Sequence, residues 1–165
     1  MLDPLGLIEK HRRTGVLIDA NLLVLYLVGK VNRERIKTFK RTQAYTREDF
    51  DLLEWLVSCF SKLFTTPHVL TEVSNLAGSL VGRERLAIRS LIGLVVDEME
   101  ERFDASRAVV RDACFERLGL TDAAIAMRCE RGMLVLTGDL ELYLALQARG
   151  ADALNFSHIR SLGWS

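Results

Sequence analysis

Four acidic residues, Asp19, Glu72, Asp122 and Asp139, stand where a carboxylate could do more than decorate a surface. Asp19 is the lone charge in "GVLIDANLLVLYLVG", residues 15–29. Asp139 follows the apolar run "MLVLTG", Asp122 comes directly after Thr121 at the head of "DAAIAMRCERG", and Glu72 lies within "HVLTEVSNLAG". Spacing alone does not bring them together. If they meet, two carboxylates about 4 Å apart at an effective dielectric near 20 repel by about 4 kcal/mol, so a cluster of four calls for a cation. An all-oxygen set without a His/Cys constellation suits Mg²⁺ or Mn²⁺ rather than zinc. A metal of that kind activates water and stabilises charge building on phosphorus, which is the chemistry of phosphodiester hydrolysis. The plainer alternative for each acid is structural. Asp ahead of a helix is an ordinary cap, and an acid in the first turn is favoured by the helix dipole.

The elements that must position these acids follow from the hydrophobic pattern. "GVLID" reads as a buried parallel strand, with Asp19 capping the leucine-rich helix "ANLLVLYLV". The basic stretch "KVNRERIKTFKR", residues 30–41, is expected to be helical. "TREDFDLLEWLVSCFSKL" opens on an approximate capping box, Thr46 and Asp49, and carries apolar residues at helical spacing. "LFTTP" is a short strand ended by Pro67, and the helix containing Glu72 closes at Gly78. "VGRERLAIRSLIGLVVDEMEERF" reads as one long helix, Asp104 as the cap of "ASRAVVRDACFERLG", and Thr121 as the cap of a helix closed by Gly132. "MLVLT" is a second buried strand, Asp139 starts "LELYLALQARG", and "ALNF" is a last strand. Strands alternating with helices, without hairpin signals, predict a single α/β domain over 1–165 with a mostly parallel sheet. A helical segment, 30–63, separates the first two acidic stretches. In such a sheet ligands bind beyond the carboxyl ends of the strands, where the strand order reverses, and Asp19 and Asp139 each fall at such an end.

Composition narrows the class. The chain is 49% hydrophobic and 27% charged, which excludes disordered and fibrous proteins. The longest uncharged run is interrupted by Asp19 and falls short of the roughly 20 apolar residues of a membrane span. "MLDPLGLIEKHRR" lacks the basic-then-apolar order of a signal peptide, so a cytoplasmic protein is expected. Cys59, Cys114 and Cys129 are odd in number and lack ligand spacing, and read as reduced core thiols. Formal charge is zero, yet Lys30, Arg33, Arg35, Lys37, Lys40 and Arg41 face only Glu34 within their stretch. That run is either a solvated face or a track for nucleic-acid phosphates.

Taken in order, "LIDANLL", "TPHVLTEV", "LGLTDAAI" and "VLTGDLELYLALQARGADALNF" resemble the four acidic motifs of the PIN domain family, from about Gly15 to Phe156. The resemblance implies a three-layer α/β/α sandwich around a mostly parallel sheet and a Mg²⁺- or Mn²⁺-dependent endoribonuclease site. It makes Asp19, Glu72, Asp122 and Asp139 the catalytic acids and metal ligands in turn. Asn21 and Thr137 match the positions that support the first and fourth acids. Cleavage of single-stranded or structured RNA would leave a 5′ phosphate and a 3′ hydroxyl. Many small PIN proteins are toxins of the VapC kind, held inactive by an antitoxin, and they commonly form homodimers. Two features depart from the minimal pattern: Glu141 stands where a further acid often follows the fourth, and the segment from Lys30 to Lys62 is long. A catalytically inactive scaffold for protein or RNA binding is one alternative, although all four acids are present. A haloacid-dehalogenase-type phosphatase is another, but it wants an acid where Asn21 stands. His68, one turn before Glu72, reads as a helix-start histidine rather than a base.

Overall fold

The computed structural model describes residues 3–129 and 132–163. At its centre lies β1 (Val16–Ile18), buried along its length, as β-branched and leucine side chains require in a strand covered on both faces. Four more strands run parallel to it: β2 (Leu63–Thr65), β3 (Met99–Glu101), β4 (Leu134–Thr137) and β5 (Ala153–Asn155). Their order is β3-β2-β1-β4-β5. The chain therefore builds outward from β1 to one edge, then returns and builds to the other, and the reversal falls between β1 and β4. The expected α/β class with a parallel sheet is what forms, with helices packed around it as in a three-layer α/β/α sandwich. Among the described residues no helix is long and apolar enough to cross a membrane.

Along the chain the helices are α1 (Pro4–His11), α2 (Ala20–Val31), α3 (Arg35–Thr38), α4 (Arg47–Ser58), α5 (Pro67–Ala77), α6 (Gly82–Asp97), α7 (Ser106–Val109), α8 (Phe115–Arg128), α9 (Leu140–Ala148) and α10 (Phe156–Ser161). α2 is apolar nearly all round because it is buried nearly all round, packing against α4, α5 and α6. α4 begins with the capping box read from the sequence: Thr46 Oγ1 accepts from the Asp49 amide while the Asp49 carboxylate accepts from the Thr46 amide. α8 lies against both α5 and α9, and so ties the two halves of the sheet together on one side. Of the three cysteines, Cys114 and Cys129 are buried and Cys59 is partly so.

Several expectations give way. The long helix expected from Val81 stops at Asp97, and Met99–Glu101 pairs with β2 as an edge strand, Leu63 opposite Met99. Its sequence, "MEE", has no apolar alternation to announce it, because Glu100 and Glu101 face solvent. Asp104 does not cap the next helix; its carboxylate pairs with Arg128, and α7 is only one turn. The chain then bends, with Asp112 Oδ1 accepting from the Cys114 amide at 2.8 Å. Thr121 is not a cap either. α8 is broken at Gly119, whose φ of 80° only glycine adopts without strain, so the segment after the break carries Thr121 and Asp122 in its first turn, where Asp122 is expected. The expected end of that helix at Glu130 and Arg131 lies outside the described residues. The basic stretch is not one helix: α2 ends at Val31, and α3 is a single turn.

Candidate functional site

The sheet register sets the first contact. Val16, Leu17 and Ile18 lie opposite Leu134, Val135 and Leu136, and the Asp19 amide donates to the Leu136 carbonyl at 3.0 Å. Asp19 and Thr137 therefore leave the sheet side by side at the point of strand reversal. The Asp19 carboxylate, in a residue only 2% exposed, is held from three sides. Oδ1 accepts from the Leu22 amide at 2.8 Å and caps α2; Oδ2 accepts from the Thr137 hydroxyl and from the Gly138 amide, the latter at 2.8 Å. Thr137 Oγ1 also accepts from the Asp139 amide at 2.9 Å, and Asp139 caps α9 through the Leu142 amide at 2.9 Å. One hydroxyl thus fixes the position of the first acid and of the backbone that carries the fourth.

Electrostatics shows that the other acids are near. Burial raises the pKa of Asp19; its hydrogen bonds from Thr137, Leu22 and Gly138 work against that, and the charge of Asp139 adds to it. Asp122, on α8, is pushed up to about 7, first by burial and then by Asp19, Asp139 and Glu72. The packing of α8 against α5 and α9 is what sets Asp122 within reach of Glu72 on one helix and Asp139 on the other. Glu141 is exposed on α9, as a helix-surface glutamate would be.

The set fits a hard divalent cation by its chemistry, being all carboxylate and mutually repelling. The spacing is open: among the described residues no three His, Cys, Asp or Glu side chains are close enough together to hold a metal ion between them. Beside the acids a cleft of about 520 Å³ runs along α5; its lining includes His68, Glu72, Asn75, Phe103 and Thr121, but neither Asp19 nor Asp139. His68 Nε2 lies 3.1 Å from Ser106 Oγ, while its Nδ1 is buried with no partner among the described residues, as is the hydroxyl of Thr65 at the end of β2.

Two positions differ from what the sequence suggests. Asn21 is exposed and takes no part in the hydrogen bonds around Asp19; the support comes from Thr137 and the Gly138 amide instead. Tyr45 enters the site unannounced. A Cβ on Gly138 would lie 2.9 Å from the Tyr45 hydroxyl, and the pKa of that hydroxyl is raised by burial and then by Asp19. Nothing in the loop that carries Tyr45 marks it as a site residue, since an isolated aromatic is ordinarily core.

The basic stretch is largely spoken for. Lys30 pairs with Glu54; Arg33 pairs with Asp51 at 2.7 Å and stacks over Phe50; Arg35 pairs with Glu84 at 2.8 Å. These pairs tie α2 and α3 to α4 and α6. Lys37, Lys40 and Arg41 remain exposed. Compared with family models and with curated proteins, the chain matches neither.

Proposed function

We propose that this protein is a Mg²⁺- or Mn²⁺-dependent endoribonuclease of the PIN kind. The observation that carries the reading is that Asp122, pushed up to about 7 first by burial, is pushed further by the charges of Asp19, Asp139 and Glu72, which come from three other segments. Desolvation and hydrogen bonding alone make a structural aspartate; three further carboxylates around it make a place that wants a cation. Asp19 and Asp139 would hold the metal directly or through one water, with Asp122 and Glu72 completing its surroundings. When bound, the metal would supply a Lewis acid for the phosphate and a source of hydroxide near neutral pH. The chain's own part is orientation. Thr137 fixes the Asp19 carboxylate and the start of α9 together, and the cleft along α5 gives a strand somewhere to lie beside the acids. The toxin role, an antitoxin partner and a homodimer belong to the same proposal and rest on the resemblance of the four motifs.

The test is incubation with mixed single-stranded RNA and Mg²⁺ or Mn²⁺. Internal cuts leaving 5′ phosphate ends are expected, and none in the presence of chelator. RNA binding without cutting would assign the scaffold role. Release of phosphate from small monoesters, with RNA left intact, would assign the phosphatase.

A further inference from the structure

A second cavity, of about 440 Å³, gathers cations that are far apart in sequence: Arg13, Lys62, Arg102 and Arg128, with Thr14 and Phe64 beside them. None of the described residues lining it is a carboxylate. Two of the cations already have partners. Arg102 pairs with Glu100 at 2.6 Å and stacks on the Phe64 ring at 5.0 Å. Arg128, with only 9% of its side chain exposed, is held by Asp104 and by the Phe103 carbonyl. The other two, Arg13 and Lys62, are exposed and form no ion pair with a described residue. A concave wall of guanidinium forks, two held in place and two cations left uncompensated, matches phosphate, which takes parallel N–H bonds from arginine.

The cavity lies toward the other end of the strands from the acids, since Arg13 and Thr14 precede β1, Lys62 precedes β2 and Met133 precedes β4, while Asp19 and Asp139 follow β1 and β4; the two linings adjoin in sequence at residues 102–104. Arg102 lines the basic cavity while Phe103 and Asp104, the next two residues, line the cleft along α5. Asp122 and Arg128 stand on the same helix, roughly 9 Å apart along its axis at 1.5 Å per residue. We propose that this cavity grips a backbone phosphate of the RNA strand away from the point of cleavage. The proposal rests on the ribonuclease reading for the identity of the strand. It moves the main electrostatic contact from the 30–41 stretch, half of whose cations are already paired, to residues that only the fold brings together.

The test is binding of a fluorescent single-stranded oligoribonucleotide in the presence of chelator, so that no cleavage is needed, over a range of salt concentrations. Arg13→Gln/Lys62→Gln keeps both stems and removes both charges; far-ultraviolet circular dichroism and the melting temperature check its fold. Affinity is expected to fall about tenfold, and the slope of log affinity against log salt to become shallower by about 0.7, the value for one phosphate neutralised on a single strand. Unchanged affinity and slope in the folded variant overturn the proposal. A second arm uses inorganic phosphate as the probe. If millimolar phosphate raises the melting temperature of the parent but not of the variant, while RNA binding is the same in both, the cavity is a small-anion site and the backbone assignment fails. A binding defect in the variant, together with no metal-dependent cleavage by the parent, retains the cavity and removes the nuclease reading. The two failures are therefore separable.

Discussion

Asp122 is the acid on which the surroundings act most visibly. Its pKa of about 7 lies above that of an aspartate in an unfolded chain, so the folded state binds the proton more tightly. The stability this brings is full at low pH and is lost as pH rises from about 4 to 7. Asp122→Asn should therefore stabilise the metal-free protein at pH 8, by roughly 1–2 kcal/mol after allowing for the partial exposure of the group. Denaturant melts of parent and variant check it, and a variant less stable at pH 8 contradicts the crowding of charge around Asp122. Thr137 carries the complementary prediction. Thr137→Val keeps the shape and removes the hydroxyl that serves both Asp19 and the Asp139 amide. A loss of about 1–3 kcal/mol in stability is expected from the unpaired buried groups, and metal affinity should fall about 10- to 100-fold. Thr137→Ser should restore most of both. At this scale the sequence was readable where chain direction sets the side chain, as for Asp19 and Asp139 at strand ends. It was not readable for Tyr45, which reaches the site across space, nor for Asn21, whose position beside Asp19 in sequence does not become a contact.

Among the elements, the capping box of α4, the strands β1, β2, β4 and β5, and the helices that follow the first and fourth acids were all legible, because apolar period and caps agree with the fold there. β3 was hidden by its own exposure: an edge strand with two solvent-facing glutamates carries no strand signal, and α6 runs up to it without a break. α1 and α10 went unread because they are short, eight and six residues. The close approach of α2 and α4 gives an element-scale prediction. A Cβ on Gly29 would sit 2.1 Å from the Phe50 ring, so Gly29→Ala should overpack the contact and cost about 1–3 kcal/mol despite alanine's better helix propensity. A melting temperature at or above that of the parent would mean that the two helices separate easily at this point.

For the molecule as a whole, sheet order decides what four scattered acids can do. The reversal between β1 and β4 puts Asp19 and Asp139 next to each other, and α8 then brings Asp122 over from the same half of the chain as β4. Strand ends alone raise the possibility of that convergence without fixing it, because hydrophobic pattern carries no information on which strands are neighbours. The same folding gathers Arg13, Lys62, Arg102 and Arg128 while it commits Lys30, Arg33 and Arg35 to holding helices together. A divalent cation that binds only the folded state should raise the melting temperature at pH 7.5 increasingly as its concentration exceeds its Kd. The shift should be much reduced in Asp122→Asn, and an equal shift in both would move the cation elsewhere on the surface. The most direct measurement is cleavage of mixed single-stranded RNA with Mn²⁺ by the parent and by Asp19→Asn, each first shown to be folded. Cutting by the parent that stops with chelator and is absent in Asp19→Asn is the predicted result; equal cutting by both, or cutting indifferent to metal, would contradict the account.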